Sequence, residues 1–250
     1  MTDAFDLTGQ RALVTGGSRG LGRAIVLGLA ARGADVAIAS RKIESCEKLA
    51  AEVEASFGVR ALPIACNVSS WEDCDRMVTD VNTAWGGIDI LVNNAGISPL
   101  YESVDEVSEA LFDKVIAVNL KGPFRLMARV GTEMKRRGGG AIVNISSNGA
   151  IRPTADVVPY CAAKAGLNNM TESMAQALGP EVRVNTIMPG RFNTDMATYW
   201  PDEVVEEAKK TISLHRIGEP DEIVGAVVYL ASKASSFTTA AVLRIDGGVP

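Results

Sequence analysis

The sequence predicts an α/β domain: a doubly wound, parallel, seven-stranded sheet with helices on both faces. Three observations predict it. Short apolar runs alternate with longer segments of helical periodicity along all 250 residues. No repeat, linker or low-complexity segment interrupts the alternation, so residues 1–250 read as one domain. Glycine-rich, small or amide residues directly follow most of the apolar runs, where ligands bind in open parallel sheets.

Composition sets the outer limits. Hydrophobic residues make up 47% of the chain, enough for a sizeable core. Net charge is -5 and no Lys/Arg run stands out, which argues against nucleic acid and anionic membrane as partners. Cys46, Cys66, Cys74 and Cys161 form no CxxC pattern, and His215 is the only histidine. A metal site is therefore not expected, and the cysteines read as the reduced thiols of a cytoplasmic protein. The N-terminus has neither a basic stretch nor an apolar core of the signal-peptide kind. Apolar stretches such as Ala24–Ala31 fall short of the ~18 residues of a membrane span.

Arg11–Thr15 reads as the first buried strand. Gly16-Gly17-Ser18-Arg19-Gly20-Leu21-Gly22 follows, then helical spacing over Arg23–Arg32. Glycines let backbone approach a pyrophosphate, and a helix N-terminus offers N–H groups and a positive dipole end. The spacing is Gly16-x-x-x-Gly20-x-Gly22 and not G-x-G-x-x-G, so context carries this reading, against an ordinary strand-to-helix turn.

Ala34–Ala39 is the second strand. A carboxylate at its end would grip a ribose 2′-hydroxyl. Here Ser40-Arg41-Lys42 occupies that end, Asp35 stands at the start and Glu44 beyond the turn. Ser40 and Arg41, with Arg19 closing from the glycine turn, suit a 2′-phosphate, so NADP(H) is expected over NAD(H).

Ile43–Phe57 reads as an amphipathic helix and Val59–Ala65 as the third strand. Asn67-Val68 follows, where a side chain suits an adenine edge. Ser69-Ser70-Trp71-Glu72 resembles a capping box opening a helix to about Trp85. Ile88–Val92 is the fourth strand, followed by Asn93-Asn94-Ala95-Gly96, either a ligand-approach segment or a self-satisfied turn. Helices are expected over Ser103–Phe112 and about Phe112–Arg137, with Asn119 inside the second as a structural linker or part of a polar relay.

Gly138-Gly139-Gly140 breaks the chain before the fifth strand, Ala141–Ile145, which ends in Ser146-Ser147-Asn148-Gly149. Pro159 fits the first turn of a helix carrying Tyr160 and Lys164, four residues apart and so on one face. An ammonium beside a phenol favours the phenolate, which suits proton exchange with a carbonyl or alcohol oxygen. Cys161 reads as a packed side chain rather than a nucleophile. Glu181–Met188 is the sixth strand, ending at Pro189-Gly190. Arg191–Leu214 reads as less regular, Glu219–Ala231 as a helix and Ala241–Ile245 as the seventh strand.

Taken together, these residues resemble the classical short-chain dehydrogenase/reductase family over essentially the whole chain. The resemblance rests on Thr15–Gly22, Asn93–Gly96, Val118-Asn119-Leu120-Lys121-Gly122, Ser147 placed 13 residues before Tyr160, Lys164, and Pro189-Gly190 with Thr194. It implies a Rossmann fold and a carbonyl or alcohol oxidoreductase, similar to 3-oxoacyl-carrier-protein reductases or sugar and polyol dehydrogenases. In that pattern Asn119, Ser147, Tyr160 and Lys164 are catalytic. Gly16, Ser18, Arg19, Gly20, Leu21, Gly22, Ser40, Arg41, Asn67, Val68, Asn94, Ala95, Gly96, Tyr160, Lys164, Pro189, Gly190, Phe192 and Thr194 hold the cofactor.

By the same analogy the substrate is a small molecule shaped by Ser98–Leu100, Asn148–Pro153, Val157-Val158 and a loop at about 191–214. Met196, Tyr199, Trp200 and Phe192 belong to that pocket or to the core. A homo-oligomer, tetramer or dimer, is implied through the last strand and the helix before it. The chain departs from the pattern at Asn67, commonly Asp, at Thr239-Ala240, commonly Thr-Gly, and at Arg244, commonly apolar. The alternative reading is a catalytically silent dinucleotide sensor or assembly subunit.

Overall fold

The computed structural model describes residues 3–194 and 202–250. Seven parallel strands form one sheet in the order β3-β2-β1-β4-β5-β6-β7. They are β1 (Arg11–Thr15), β2 (Asp35–Ser40), β3 (Ala61–Ala65), β4 (Ile90–Asn93), β5 (Gly140–Ile145), β6 (Val182–Pro189) and β7 (Val242–Ile245). Each matches an expected apolar run to within two residues. The helices are α1 (Gly20–Ala30), α2 (Ile43–Phe57), α3 (Trp71–Trp85), α4 (Glu109–Ile116), α5 (Gly122–Arg137), α6 (Val158–Leu178), α7 (Asp202–Thr211) and α8 (Val224–Ala231).

Two cores flank the sheet. One packs Ile25, Leu29, Leu49, Val53, Val227 and Leu230 of α1, α2 and α8 against the strands. The other uses Met77, Val81, Leu126, Val130, Leu167 and Leu178 of α3, α5 and α6. Strand residues feed both cores, which is why the strands read as unbroken apolar runs. The strand order reverses between β1 and β4, so the crevice at their carboxyl ends is the topological switch point of the sheet.

Several local expectations are corrected. The segment 103–112 is not one helix: it holds a 3₁₀ turn at Val104–Glu106, and α4 starts at Glu109 because Ser108 Oγ caps the N–H of Leu111 at 3.2 Å. Nor is 112–137 continuous, since a π-helical turn, Ala117–Lys121, separates α4 from α5. Asn119 Nδ2 donates to the carbonyl of Val115 at 2.9 Å, the acceptor an α-helix reserves for the backbone N–H of Asn119. Pro123, four residues on, has no N–H for the Asn119 carbonyl. The α3 cap is Ser70 and not Ser69: Ser70 Oγ accepts from Asp73 N–H at 3.1 Å.

The irregular stretch expected over 191–214 contains α7, whose last turn carries Lys209 and Lys210, favourable at the negative end of the dipole. Pairs Glu206–Lys209 (2.6 Å) and Glu207–Lys210 (2.9 Å) support it. The segment 219–231 opens as a 3₁₀ turn, Pro220–Ile223, before α8. At the departure Thr239-Ala240, Ala240 takes φ +59°, a left-handed conformation that glycine holds freely and alanine adopts at a cost of about 1–2 kcal/mol. Arg244 on edge strand β7 pairs with Asp246 at 2.6 Å. All four cysteines are free and buried.

Candidate active site

The glycine turn lies at the switch point. Gly16 has φ +63°, and a Cβ there would stand 2.9 Å from Ala95 Cα. A Cβ on Gly22 would stand 2.0 Å from the Gly16 carbonyl oxygen, so the turn closes only with hydrogen at that position. Asn94 Nδ2 donates to the carbonyls of Thr15 (2.9 Å) and Gly16 (3.1 Å), tying the end of β4 to the turn. Gly17 N–H donates to Ala39 O at 3.2 Å, bringing the turn beside the end of β2. Gly20 meets Thr194, whose Cβ would lie 3.5 Å from a Cβ on that glycine. The segment after β6 therefore reaches the mouth of the turn.

This cradle fits a dinucleotide. Helix α1 starts there with Arg19 as N-cap, no side-chain cap and no acidic residue in its first turn. Its leading N–H groups are available to a pyrophosphate, and its first turn carries no carboxylate to oppose one. Asp35 is engaged at the far end of β2 by Arg60, at 2.6 Å, and does not serve the ribose. Arg41 is exposed, and among the described residues no carboxylate pairs with it. The Ser40 hydroxyl already contacts the Lys42 carbonyl (3.2 Å) and Cys46 Sγ (3.1 Å). Asn67 spends its side-chain oxygen on the N–H and hydroxyl of Ser69 (3.3 and 2.9 Å), which leaves its amide N–H₂ for a base edge. Val68 is buried beneath Gly122.

The chemistry-bearing side chains converge beside this cradle, at the ends of β4 and β5. A Cβ on Gly149 would stand 3.4 Å from Ser147 Oγ and 3.7 Å from Tyr160 Cε1, so the serine and the phenol face one small volume. A Cβ on Gly96 would stand 3.0 Å from Asn119 Oδ1 and 3.7 Å from Lys164 Nζ, which brings that second pair together at the segment after β4. Lys164 Nζ lies 5.8 Å from the Tyr160 ring centroid and donates to the Ile145 carbonyl at 2.7 Å. A buried polar chain holds α6 in register: Asn93 to Asn144 (2.9 Å), Asn144 to Thr171 (2.9 Å), and Thr171 to Thr186 (2.7 Å). It joins β4, β5 and β6 to the helix that carries Tyr160 and Lys164.

Burial governs both titrating groups. It pushes the Tyr160 phenol above its ordinary range, with a hydrogen bond from Ser147 pulling the other way. Burial also pulls the Lys164 ammonium down to about 8. The expected lowering of Tyr160 by Lys164 is thus not the balance in the protein alone, where desolvation wins. Ser146, offset by one from Ser147, is buried and gives its hydroxyl to the Lys164 carbonyl at 3.3 Å, a structural bond.

Asn119 is fully buried. Its Nδ2 donates to Ile97 O and Val115 O, and its Oδ1 accepts from Ile97 N–H at 3.2 Å. These bonds link the π turn to the segment after β4. Phe192 is 5% exposed and packs against Gly218, so its ring belongs to the core. Gly190 lies tight against Asp246 at the end of β7. Cys161 is buried. Met196, Tyr199 and Trp200 lie outside the described residues. Tyr101, which sequence reasoning missed, bonds across the mouth of the site. Its only sequence signal is an aromatic residue in the segment that follows β4.

Among the described residues, no three His, Cys, Asp or Glu side chains gather as a metal site would need, and no helix is long and apolar enough to cross a membrane. A family model described as enoyl-(acyl carrier protein) reductase matches residues 16–250. Human dehydrogenase/reductase SDR family member 4 is 36% identical over 253 residues, covering 100% of this chain and 91% of the relative. The NADPH-dependent 3-quinuclidinone reductase of Rhodotorula rubra superposes with a TM-score of 0.94 at 31% identity, covering 99% of this chain and 93% of that one. A 7α-hydroxysteroid dehydrogenase, solved with NADH and 7-oxo glycochenodeoxycholic acid, superposes with a TM-score of 0.95 at 28% identity, covering 100% and 97%. Fold, glycine cradle and full-length likeness agree: the chain belongs to the short-chain dehydrogenase/reductase family of oxidoreductases.

Proposed function

We propose that the protein is an NADP(H)-dependent oxidoreductase that interconverts a carbonyl compound and its secondary alcohol through Ser147, Tyr160 and Lys164. The observation that carries this reading is the convergence of Ser147 Oγ and the Tyr160 ring on one opening, with buried Lys164 one helical turn further on. A bound NADPH would supply the hydride. The chain's own residues do the rest. Ser147 donates a hydrogen bond to the substrate oxygen. Tyr160, a phenol that burial raises further above its ordinary range, gives its proton to the oxygen as the alcohol forms. Lys164, near 8, holds the ribose hydroxyls and returns a proton toward the phenol. Asn119, whose carbonyl receives no N–H from Pro123, is where a water that refills this relay would sit.

The 2′-phosphate preference rests on Arg41, on the absence of an acid at the end of β2, and on Arg19 at the head of α1. One solved relative is NADPH-dependent and another was solved with NADH, so the proposed preference leans on these residues. Fluorescence titration of the purified protein is expected to give tighter binding of NADPH than of NADH. Arg41→Ala is expected to weaken NADPH by roughly ten- to a hundredfold, the weight of a charge-assisted hydrogen bond, and to leave NADH unchanged. Tighter NADH binding by the unmodified protein would overturn the preference. The substrate is a small ketone, 3-oxoacyl thioester or sugar, and the protein works as a homo-oligomer in the cytoplasm.

A further inference from the structure

Helix α6 carries Tyr160 three positions from its start, yet its sequence does not secure that start. The N-cap is Val157, which has no side chain to cap with, and Pro159 contributes no N–H. The missing acceptor comes from 57 residues away: the Val158 N–H donates to the Tyr101 hydroxyl at 2.7 Å. The same hydroxyl donates to the Ala155 carbonyl at 2.8 Å. Both bonds are short and both use main-chain groups, so they fix backbone rather than side chains.

Tyr101 stands on the segment after β4, and its partners on the segment after β5. The two strands are neighbours in the sheet, with Asn93 opposite Asn144. The Tyr101 side chain therefore ties the segment after β4 to the segment that leads from Ser147 into the helix of Tyr160. Among the described residues no other hydrogen bond links 97–104 to 148–158. The two clasped segments also carry exposed apolar side chains: Leu100 and Val104 at 60%, Ile151 at 51% and Val158 at 47%. Exposed aliphatic groups on both sides of a cleft mouth favour an apolar body entering it.

We propose that Tyr101 is a positioning and specificity-determining residue, a clasp that fixes the first turn of α6 beneath Tyr160 and sets the width of the mouth for carbonyl substrates with an apolar body. The proposal rests on the catalytic reading above and names the substrate class for the same site. A looser clasp lets Tyr160 wander and lets bulkier substrates in, so compact and bulky substrates respond differently to its loss.

Tyr101→Phe removes both bonds and keeps the ring. Two measurements test it. Hydrogen exchange of the Val158 amide is expected to speed up about tenfold in Tyr101→Phe, with the rest of α6 unchanged. This needs no turnover and tests the clasp alone; unchanged exchange overturns it. NADPH oxidation is then followed with butane-2,3-dione and 1-phenylpropane-1,2-dione, which share a reacting head and differ in apolar bulk. Tyr101→Phe is expected to lower kcat for the compact dione and to raise the phenyl-to-methyl ratio of kcat/KM at least about threefold. A ratio that stays put while both rates fall assigns Tyr101 a merely structural role and overturns the specificity. Unmodified protein inert toward both diones overturns the apolar-substrate class. Turnover that survives Tyr160→Phe, by contrast, strikes at the catalytic reading and not at the clasp.

Discussion

Tyr160→Phe is expected to lower NADPH-driven carbonyl reduction by about 10²–10⁴-fold, the range for loss of a positioned general acid. The fold and the nicotinamide affinity should survive. The ring keeps its place over Lys164, and the hydroxyl contributes one hydrogen bond, with Ser147. A protonated phenol is the form a reductase needs, and burial raises the phenol in that direction. Were Tyr160 a bystander on a solvated helix face, the substitution would change rates by no more than a few fold. The comparison is read as kcat with nicotinamide saturating, together with melting temperature and cofactor titration on the same preparations.

Lys164→Met is expected to abolish turnover to a similar degree and also to change how stability depends on pH. The lysine is 4% exposed, and among the described residues no carboxylate neutralises it. A folded-state value of about 8 against 10.5 for the free side chain corresponds to about 3 kcal/mol of cost for burying the charge. Below pH 8 the folded and unfolded chains both hold the proton, and the full cost is present. Between pH 8 and 10.5 the unfolded chain holds it and the folded chain does not, so the cost fades as pH rises. Methionine has no such dependence. The stability difference between Lys164→Met and the unmodified protein, from urea unfolding at several pH values, should therefore shift by up to about 3 kcal/mol in favour of the unmodified protein across that window. Loss of the bond to Ile145 adds a constant that does not move with pH. A flat difference would show that Lys164 is not a desolvated cation.

Much of this architecture is legible in the sequence because burial on both faces writes itself as apolar runs. Arg11–Thr15, Ile43–Phe57 and Trp71–Trp85 behave as hydrophobic pattern and caps require. What escapes is decided by side-chain contacts that apolar periodicity does not register. The π turn at Ala117–Lys121 forms where the Asn119 side chain takes a carbonyl from its own helix and Pro123 withholds an N–H, two local effects that apolar periodicity does not register. Helix α7 is held by charge pairs on a polar segment, where periodicity is weak. Ser146 and Ser147 are alike in sequence; what separates them is that Ser146 spends its hydroxyl on the Lys164 carbonyl while Ser147 faces Tyr160. The Tyr101 clasp is invisible for the same reason, since its meaning lies in two backbone groups more than fifty residues away. In the protein alone burial raises the Tyr160 phenol, because spacing reveals the neighbouring charge but not the desolvation around the ring.

NADPH-dependent carbonyl reduction is proposed to take place at Ser147, Tyr160 and Lys164. The most direct test is NADPH oxidation by the purified protein against a panel of ketones, diketones, 3-oxoacyl thioesters and keto-sugars, with NADH run alongside. Consumption of NADPH is expected, faster than of NADH and matched mole for mole by alcohol formed from at least one member of the panel. Failure of the protein to bind either nicotinamide, or tight binding with no oxidation across the whole panel, would contradict it.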